Sequence, residues 1–273
     1  MNYRHGFHAG NFADLVKHAL LLKLLDAIQA EAPALEVIDT HAGAGVYDLT
    51  GEAARRTGEA EAGISRLMAA ADAPAAFAPL VAAVARLNEG GPPRLYPGSP
   101  RLAAERLRPA DRLTACEARA DDHELLRRAL SPYPQCEAVR TDGWSHGAAI
   151  ARRASGARFV LIDPPYEAAD DGVRAAALTA EVLRADPAAR LAIWAPIKDM
   201  AGFERLVWDL EDAAGPASLL IAEARLRPLT DPMRMNGCAM ILANPPRGIE
   251  PVAREIVEWV STRLGEGGEG RVR

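Results

Sequence analysis

The chain has 273 residues, 49% of them hydrophobic and 25% charged, enough for one large α/β domain with an insertion or for two small domains, and disorder over the whole length is excluded. A formal net charge of −5 argues against a protein that coats nucleic acid nonspecifically, although basic residues gather at Arg4, His5, His8, Lys17 and His18 and recur at Arg225, Arg227, Arg234 and Arg247. No apolar run approaches the ~20 residues that cross a bilayer, and the N-terminus lacks a secretory apolar core, so a soluble cytoplasmic protein is expected.

In chain order, residues 11–30 come first and set Leu15, His18, Ala19, Leu22 and Leu25 on one face, predicting an amphipathic helix. The run 35–40 reads as a buried strand and passes directly into Asp39-Thr40-His41-Ala42-Gly43-Ala44-Gly45. Glycines at alternate positions let a backbone come close to a ligand, and such a turn lies at the carboxyl ends of the strands, where open α/β sheets bind ligands. Val46 and Tyr47 follow where a dinucleotide loop would open a helix, and no G-K-[ST] is present. Alone, this turn fits a plain tight turn as well as a binding loop.

Residues 52–109 are too many for a single crossover. Two alanine-rich helical segments, 58–71 and 75–88, closed by Gly90-Gly91-Pro92-Pro93, predict a small helical insertion over about 52–93. Apolar runs at 113–117, 137–141, 159–163, 191–196, 219–225 and 238–244 bring the strands to seven, with helical spacing at 120–129, 173–185 and 200–213. This alternation predicts a doubly wound sheet, closed by an antiparallel hairpin at its edge because only 227–236 joins the last two strands. The tail 265–273, rich in glycine and charge, is expected to be disordered. Cys116, Cys136 and Cys238 lie in or beside apolar runs with no C-x-x-C spacing, which suggests buried reduced thiols.

The chemistry gathers at strand ends. Asp163-Pro164-Pro165-Tyr166 closes the run Phe159-Val160-Leu161-Ile162, and paired prolines cannot continue a ladder, so they force a rigid turn. An exocyclic adenine amine is a poor nucleophile because its lone pair is delocalised into the ring. Asp163 and the Pro164 carbonyl can accept hydrogen bonds from its two N–H groups and draw the nitrogen toward tetrahedral geometry, facing a sulfonium methyl. Tyr166 offers a flat face for an extruded base. The same tetrapeptide also fits a stiff exit from a strand. Asn244-Pro245-Pro246-Arg247 carries the same prolines without the ring and reads as structural. Glu117, ending the second strand, suits two ribose hydroxyls, and Asp142-Gly143, ending the third, suits the cofactor's adenine. His5, His8, His18 and His41 crowd the first 41 residues, but no carboxylate or thiol spacing beside them resembles a closed metal site, and no metal is expected.

With these residues in view, the sequence resembles the bacterial 23S ribosomal RNA adenine-2030 N6-methyltransferases over nearly its whole length. The resemblance rests on Tyr3-Arg4-His5, Phe7-His8-Ala9-Gly10-Asn11, Asp14, Lys17-His18, the turn 39–45, Tyr96-Pro97-Gly98-Ser99-Pro100, Asp142-Gly143 and Asp163-Pro164-Pro165-Tyr166. It implies a Rossmann-like seven-stranded methyltransferase domain with a helical insertion, monomeric and acting on 23S ribosomal RNA. It further implies that His18, His41, Gly43, Ser99, Glu117, Asp142, Gly143 and Asp163 contact S-adenosylmethionine, that Asp163, Pro164 and Tyr166 serve the target amine, and that Tyr3 and Lys17 lie near the RNA. DNA adenine methylation and a noncatalytic RNA-binding role remain the alternatives.

Overall fold

A computed structural model of the chain describes residues 5–151 and 156–273. Helix α1 (Phe12–Glu31) leads into β1 (Leu35–Asp39) and β2 (Val46–Asp48), followed by α2 (Glu52–Thr57), α3 (Arg66–Ala69), α4 (Ala78–Leu87) and β3 (Leu95–Pro97). Next come α5 (Ser99–Arg106), β4 (Arg112–Cys116), α6 (Ala120–Leu130), β5 (Cys136–Val139), α7 (Gly143–Ala151), β6 (Ala157–Ile162) and α8 (Asp171–Ala185). The chain finishes with β7 (Arg190–Ile197), α9 (Met200–Ala214), β8 (Leu219–Arg225), β9 (Gly237–Ala243), α10 (Ile249–Arg263) and β10 (Glu269–Val272).

The main sheet runs β10-β8-β9-β7-β6-β1-β4-β5, while β2 and β3 form a separate ribbon. Strands β5, β4, β1, β6 and β7 are parallel, and β9, β8 and β10 are added antiparallel. Side chains alternate across the pleat, so along β7 Leu191, Ile193, Ala195 and Ile197 enter one core while Ala192 enters the other. Helices cover both faces, which is why the strands read as continuous apolar runs instead of alternating ones. One core holds residues of α1, α5, α6 and α10, and the other holds residues of α7, α8 and α9. This is a Rossmann-like architecture, and β1 and β6, which carry the two motifs, are direct parallel neighbours.

Helix α1 departs from its expected single stripe. Val16, Leu20, Leu21 and Leu24 are buried along with Leu15, Leu22 and Leu25, because α4, α5 and α10 pack around a helix that also contacts β9. A helix enclosed this way is apolar on several faces. Its start is set by polar groups: the Asn11 side chain accepts from the Asp14 amide and the Asp14 carboxylate accepts from the Gly10 amide, a reciprocal cap. Within 52–93, the buried Ile64, Leu67, Phe77, Leu80 and Val84 join the core that contains α1 and α10.

The C-terminal tail is ordered, contrary to expectation. Strand β10 pairs with β8, so the sheet has eight strands and the β8–β9 hairpin is not its edge. The glycines that suggested flexibility permit close backbone approach. A Cβ on Gly268 would stand 2.0 Å from the Arg225 carbonyl oxygen, and one on Gly270 would stand 2.5 Å from the Glu258 amide nitrogen. Arg273 then binds the fully buried Glu223 at 2.9 Å and Glu204 at 2.7 Å. All three cysteines are free thiols, Cys136 only half-buried, and burial pushes Cys116 and Cys238 up to about 12 and Cys136 up to about 11. Among the described residues no helix is long and apolar enough to cross a membrane.

Candidate active site

The carboxyl ends of β1, β4, β5, β6 and β7 open onto one cleft of about 1380 Å³. Its lining brings together Lys17, His18, His41, Gly43, Ser99, Glu117, Asp142, Gly143, Asp163, Pro164 and Tyr166, residues that span nearly 150 positions of sequence. Tyr3 lies outside the described residues.

At the centre of the cleft is an ion-pair relay that single-sequence spacing did not reveal. The buried Lys17 ammonium lies 2.6 Å from Asp163 Oδ2 and 2.9 Å from Asp14 Oδ1. Burial works against the charged lysine, yet the Asp14 and Asp163 carboxylates hold its pKa well above the usual value. Lys17 is therefore placed at the candidate catalytic carboxylate, inside the cleft. At the next position of α1, His18 Nδ1 is 2.8 Å from the hydroxyl of the fully buried Tyr96, which immobilises the ring.

Asp39 is a second buried carboxylate, and its strand position alone did not distinguish it from a structural acid. Desolvation raises its pKa from 3.8 to about 7, the nearby Asp163 charge adds to that rise, and a hydrogen bond donated by Ser99 at 2.6 Å opposes it. The unfolded chain ionises Asp39 near pH 3.8 and the folded chain only near 7, so this residue's contribution to stability is lost as pH climbs through that window. Asp39→Asn is expected to flatten the decline and to gain on the order of 2–4 kcal/mol at pH 8. Urea titrations at pH 5 and pH 8 check this, and an equal effect at both would refute it.

The glycine turn is shaped by its neighbours. Gly43 and Gly45 have φ of +63° and +80°, and the Gly43 amide donates to Glu117 Oε2 at 3.1 Å. Glu117 also accepts from the Arg119 amide at 2.7 Å, and desolvation holds its carboxyl above the ordinary range. The Thr40 hydroxyl donates to the Leu161 carbonyl at 3.0 Å, so its 2.7 Å contact with His41 Nδ1 assigns the ring proton to Nδ1. Burial, with Arg174 nearby, lowers the His41 pKa to about 3, leaving Nε2 as a neutral acceptor. The His41 ring meets Trp144 edge-on at 4.6 Å, and Arg174 lies over the other ring at 4.9 Å while pairing with Asp142 at 3.5 Å.

Gly143 begins α7 hard against the turn: a Cβ there would stand 1.7 Å from the Thr40 carbonyl oxygen. Gly143→Ala must push α7 away from β1, at a cost of about 1–3 kcal/mol. A thermal melt of the variant should show that loss, and an unshifted melting curve would contradict the packing described.

Tyr166 has a φ of +51°, strained for a bulky residue, and its hydroxyl donates to the Trp194 carbonyl at 2.7 Å. That bond and the tilted Trp194 ring, 5.8 Å away, fix the tyrosine in the cleft wall. Asn244 of the second paired-proline turn shares the positive φ, at +50°, but its side-chain amide donates to the Pro187 and Ala189 carbonyls, and it is remote from this cleft. That turn is structural. Among the described residues no group of three or more His, Cys, Asp or Glu side chains is placed to hold a metal ion.

Comparison with known proteins bears on this geometry. The chain is 33% identical over 270 residues, 99% of its length and 96% of the relative's, to Ribosomal RNA large subunit methyltransferase J of Escherichia coli (strain K12). It is 33% identical over 271 residues to the protein of the same name from Haemophilus influenzae, again with 99% and 96% coverage. A crystal structure of a Legionella pneumophila protein superposes with a TM-score of 0.88 at 25% identity, covering 97% of this chain and 98% of the other. The family model described as Ribosomal RNA large subunit methyltransferase D, RlmJ matches residues 32–273, a span that contains the glycine turn, Ser99, Glu117, Asp142 and the Asp163 turn, and the chain is a methyltransferase belonging to that family.

Proposed function

We propose that the protein transfers the methyl group of S-adenosylmethionine directly to the N6 amine of one adenine in 23S ribosomal RNA, the position named for the family it resembles being 2030. The observation that carries this reading is the Asp163 carboxylate, held by Lys17 at 2.6 Å in the same cleft as Glu117 and the Tyr166 ring. The residues present fit the cofactor: Glu117 has a carboxylate at a strand end for ribose hydroxyls, Gly43 and Gly143 line the cleft beside it, and His41 and Ser99 supply polar groups. S-adenosylmethionine, when bound, supplies an electrophilic methyl on a sulfonium.

The chain's own residues orient the acceptor. Asp163 and the Pro164 carbonyl accept from the amine's two N–H groups, which localises the nitrogen lone pair, and Tyr166 supports the extruded base. Lys17 fixes the Asp163 carboxylate in place through its ion pair. Near-attack alignment of this kind is where such a site gains its rate, since the reaction needs no enzyme nucleophile. With a 23S ribosomal RNA substrate, a cytoplasmic monomer completes the proposal.

The test is transfer of labelled methyl to protein-free 23S RNA lacking the modification, with duplex DNA beside it, followed by nucleoside analysis. Label recovered as N6-methyladenosine from RNA alone supports the proposal, and label recovered from DNA overturns the substrate. Tyr166→Ala should lower kcat/KM for RNA about tenfold, in keeping with the loss of one stacked base, without weakening cofactor affinity. Tyr166→Phe should retain most activity. A Tyr166→Ala defect confined to cofactor binding would contradict the stacking role.

A further inference from the structure

The loop between β8 and β9 stands at the mouth of the catalytic cleft and, beyond the buried Leu226, carries three large apolar side chains. Two of them are packed: Leu229 against the core that holds β7 and α9, and Met235 against the other core and in the cleft lining. The third, Met233 between them, is 90% exposed, against 63% for Trp208, the next most exposed large apolar residue.

This exposure comes from a built scaffold. Asn236, fully buried, donates from its side-chain amide to the Lys198 and Asp231 carbonyls at 2.8 and 2.7 Å, and its backbone amide donates to Ile197. Asp231 in turn accepts from the Met233 amide through its carboxylate and from the Arg234 amide through its carbonyl. Pro228 and Pro232 restrict the backbone further. The loop is thus tied to the end of β7, whose Trp194 and Pro196 line the cleft along with Lys198, while Met233 is turned into solvent beside the exposed Arg234.

A flexible apolar side chain in water contributes nothing to folding, but it matches one demand of the chemistry above. Methylating an adenine amine inside a folded RNA requires the base to leave its stack, which costs a few kcal/mol per step. Proteins that open stacks insert an apolar wedge into the gap, and methionine is among the residues used. Resting on the RNA-methylation reading, we propose that Met233 is a positioning residue that fills the stack vacated by the target adenine, with Arg234 holding the adjacent phosphate. Lys198, at the end of β7, lines the same cleft as Asp163.

The experiment compares Met233→Ala with the wild type on two probes: a folded 23S RNA transcript, and a short single-stranded oligoribonucleotide carrying the same adenine. We expect kcat/KM on the transcript to fall about tenfold while turnover of the single strand stays within about twofold, since only the former pays for unstacking. Met233→Leu, which keeps the apolar bulk, should restore the transcript rate. With 2-aminopurine at the target position of the transcript, binding of the wild type should raise fluorescence and binding of Met233→Ala should not. An unchanged rate on the transcript, or an equal loss on both probes, would overturn the wedge. A wild type inactive on both RNAs would instead overturn the methyl-transfer reading and the wedge with it.

Discussion

Asp163→Ala should lower the rate of methyl transfer at saturating RNA by about 10³-fold while the protein stays folded. The carboxylate lies just beyond the last residue of β6, its side chain 15% exposed, so its removal opens no cavity in the sheet's core. Lys17 keeps Asp14 as a partner at 2.9 Å, which limits the cost of the vacated ion pair. What disappears is the group that accepts from the target amine, and loss of one preorganised electrostatic partner in a dry site costs about 10²–10³-fold, to which the misorientation of the base adds. Asp163→Asn keeps the shape but presents an amide with half the acceptor capacity, and should fall between the two. Single-turnover rates with a circular-dichroism melt measure both halves of this result. An active Asp163→Ala enzyme would remove the residue from the chemistry, and an unfolded one would contradict its place at the strand terminus.

Lys17→Met should reduce both stability and activity. One ammonium serves two carboxylates, and the side chains of Lys17 and Asp14 are only 6% and 2% exposed. Replacing it with a neutral chain of similar length leaves the buried Asp14 and the partly buried Asp163 without their shared cation, a situation close to that in which removing one partner of a buried pair costs about 3–5 kcal/mol. The folded-state pKa of Lys17 is raised, so its contribution is fully present below the ordinary lysine value of 10.5 and is lost only as pH rises beyond that. In the variant, two like charges face each other and one carboxyl must take up a proton more readily. The acid limb of the rate profile should therefore move to higher pH, with activity recovering partly above neutrality. A profile that keeps its acid limb in place, with only the maximum lowered, would show that Lys17 holds the fold without governing Asp163.

The strands and the two motifs were legible because each is a local pattern. Phe159-Val160-Leu161-Ile162 followed by Asp163-Pro164-Pro165-Tyr166 announces a buried strand and its forced end, and the glycine turn after β1 announces a close backbone approach. Where the same local logic failed, a distant partner had changed its meaning. The glycines of 265–273 are suited to a flexible tail or to a strand pressed against α10 and β8, and only the neighbours at 2.0–2.5 Å from the hypothetical Cβ atoms decide between these. The α1 periodicity spells one face because a pattern within a single helix cannot anticipate how many helices surround it.

By itself, then, the sequence determined the alternation of strands and helices, the strand ends at which chemistry gathers, and the resemblance that named a reaction. Only the tertiary structure decided which charges meet. Lys17 and Asp163 are 146 residues apart and Ser99 and Asp39 are 60 apart, yet each pair is joined at 2.6 Å. The physical reason is that periodicity and turn residues act within a few positions of the chain, whereas desolvation and ion pairing depend on what the folded core places alongside. The same isolation from water that raises the Asp39 pKa makes the Lys17 ammonium depend on its two carboxylates, and neither effect exists until β1, β6 and α1 are packed together.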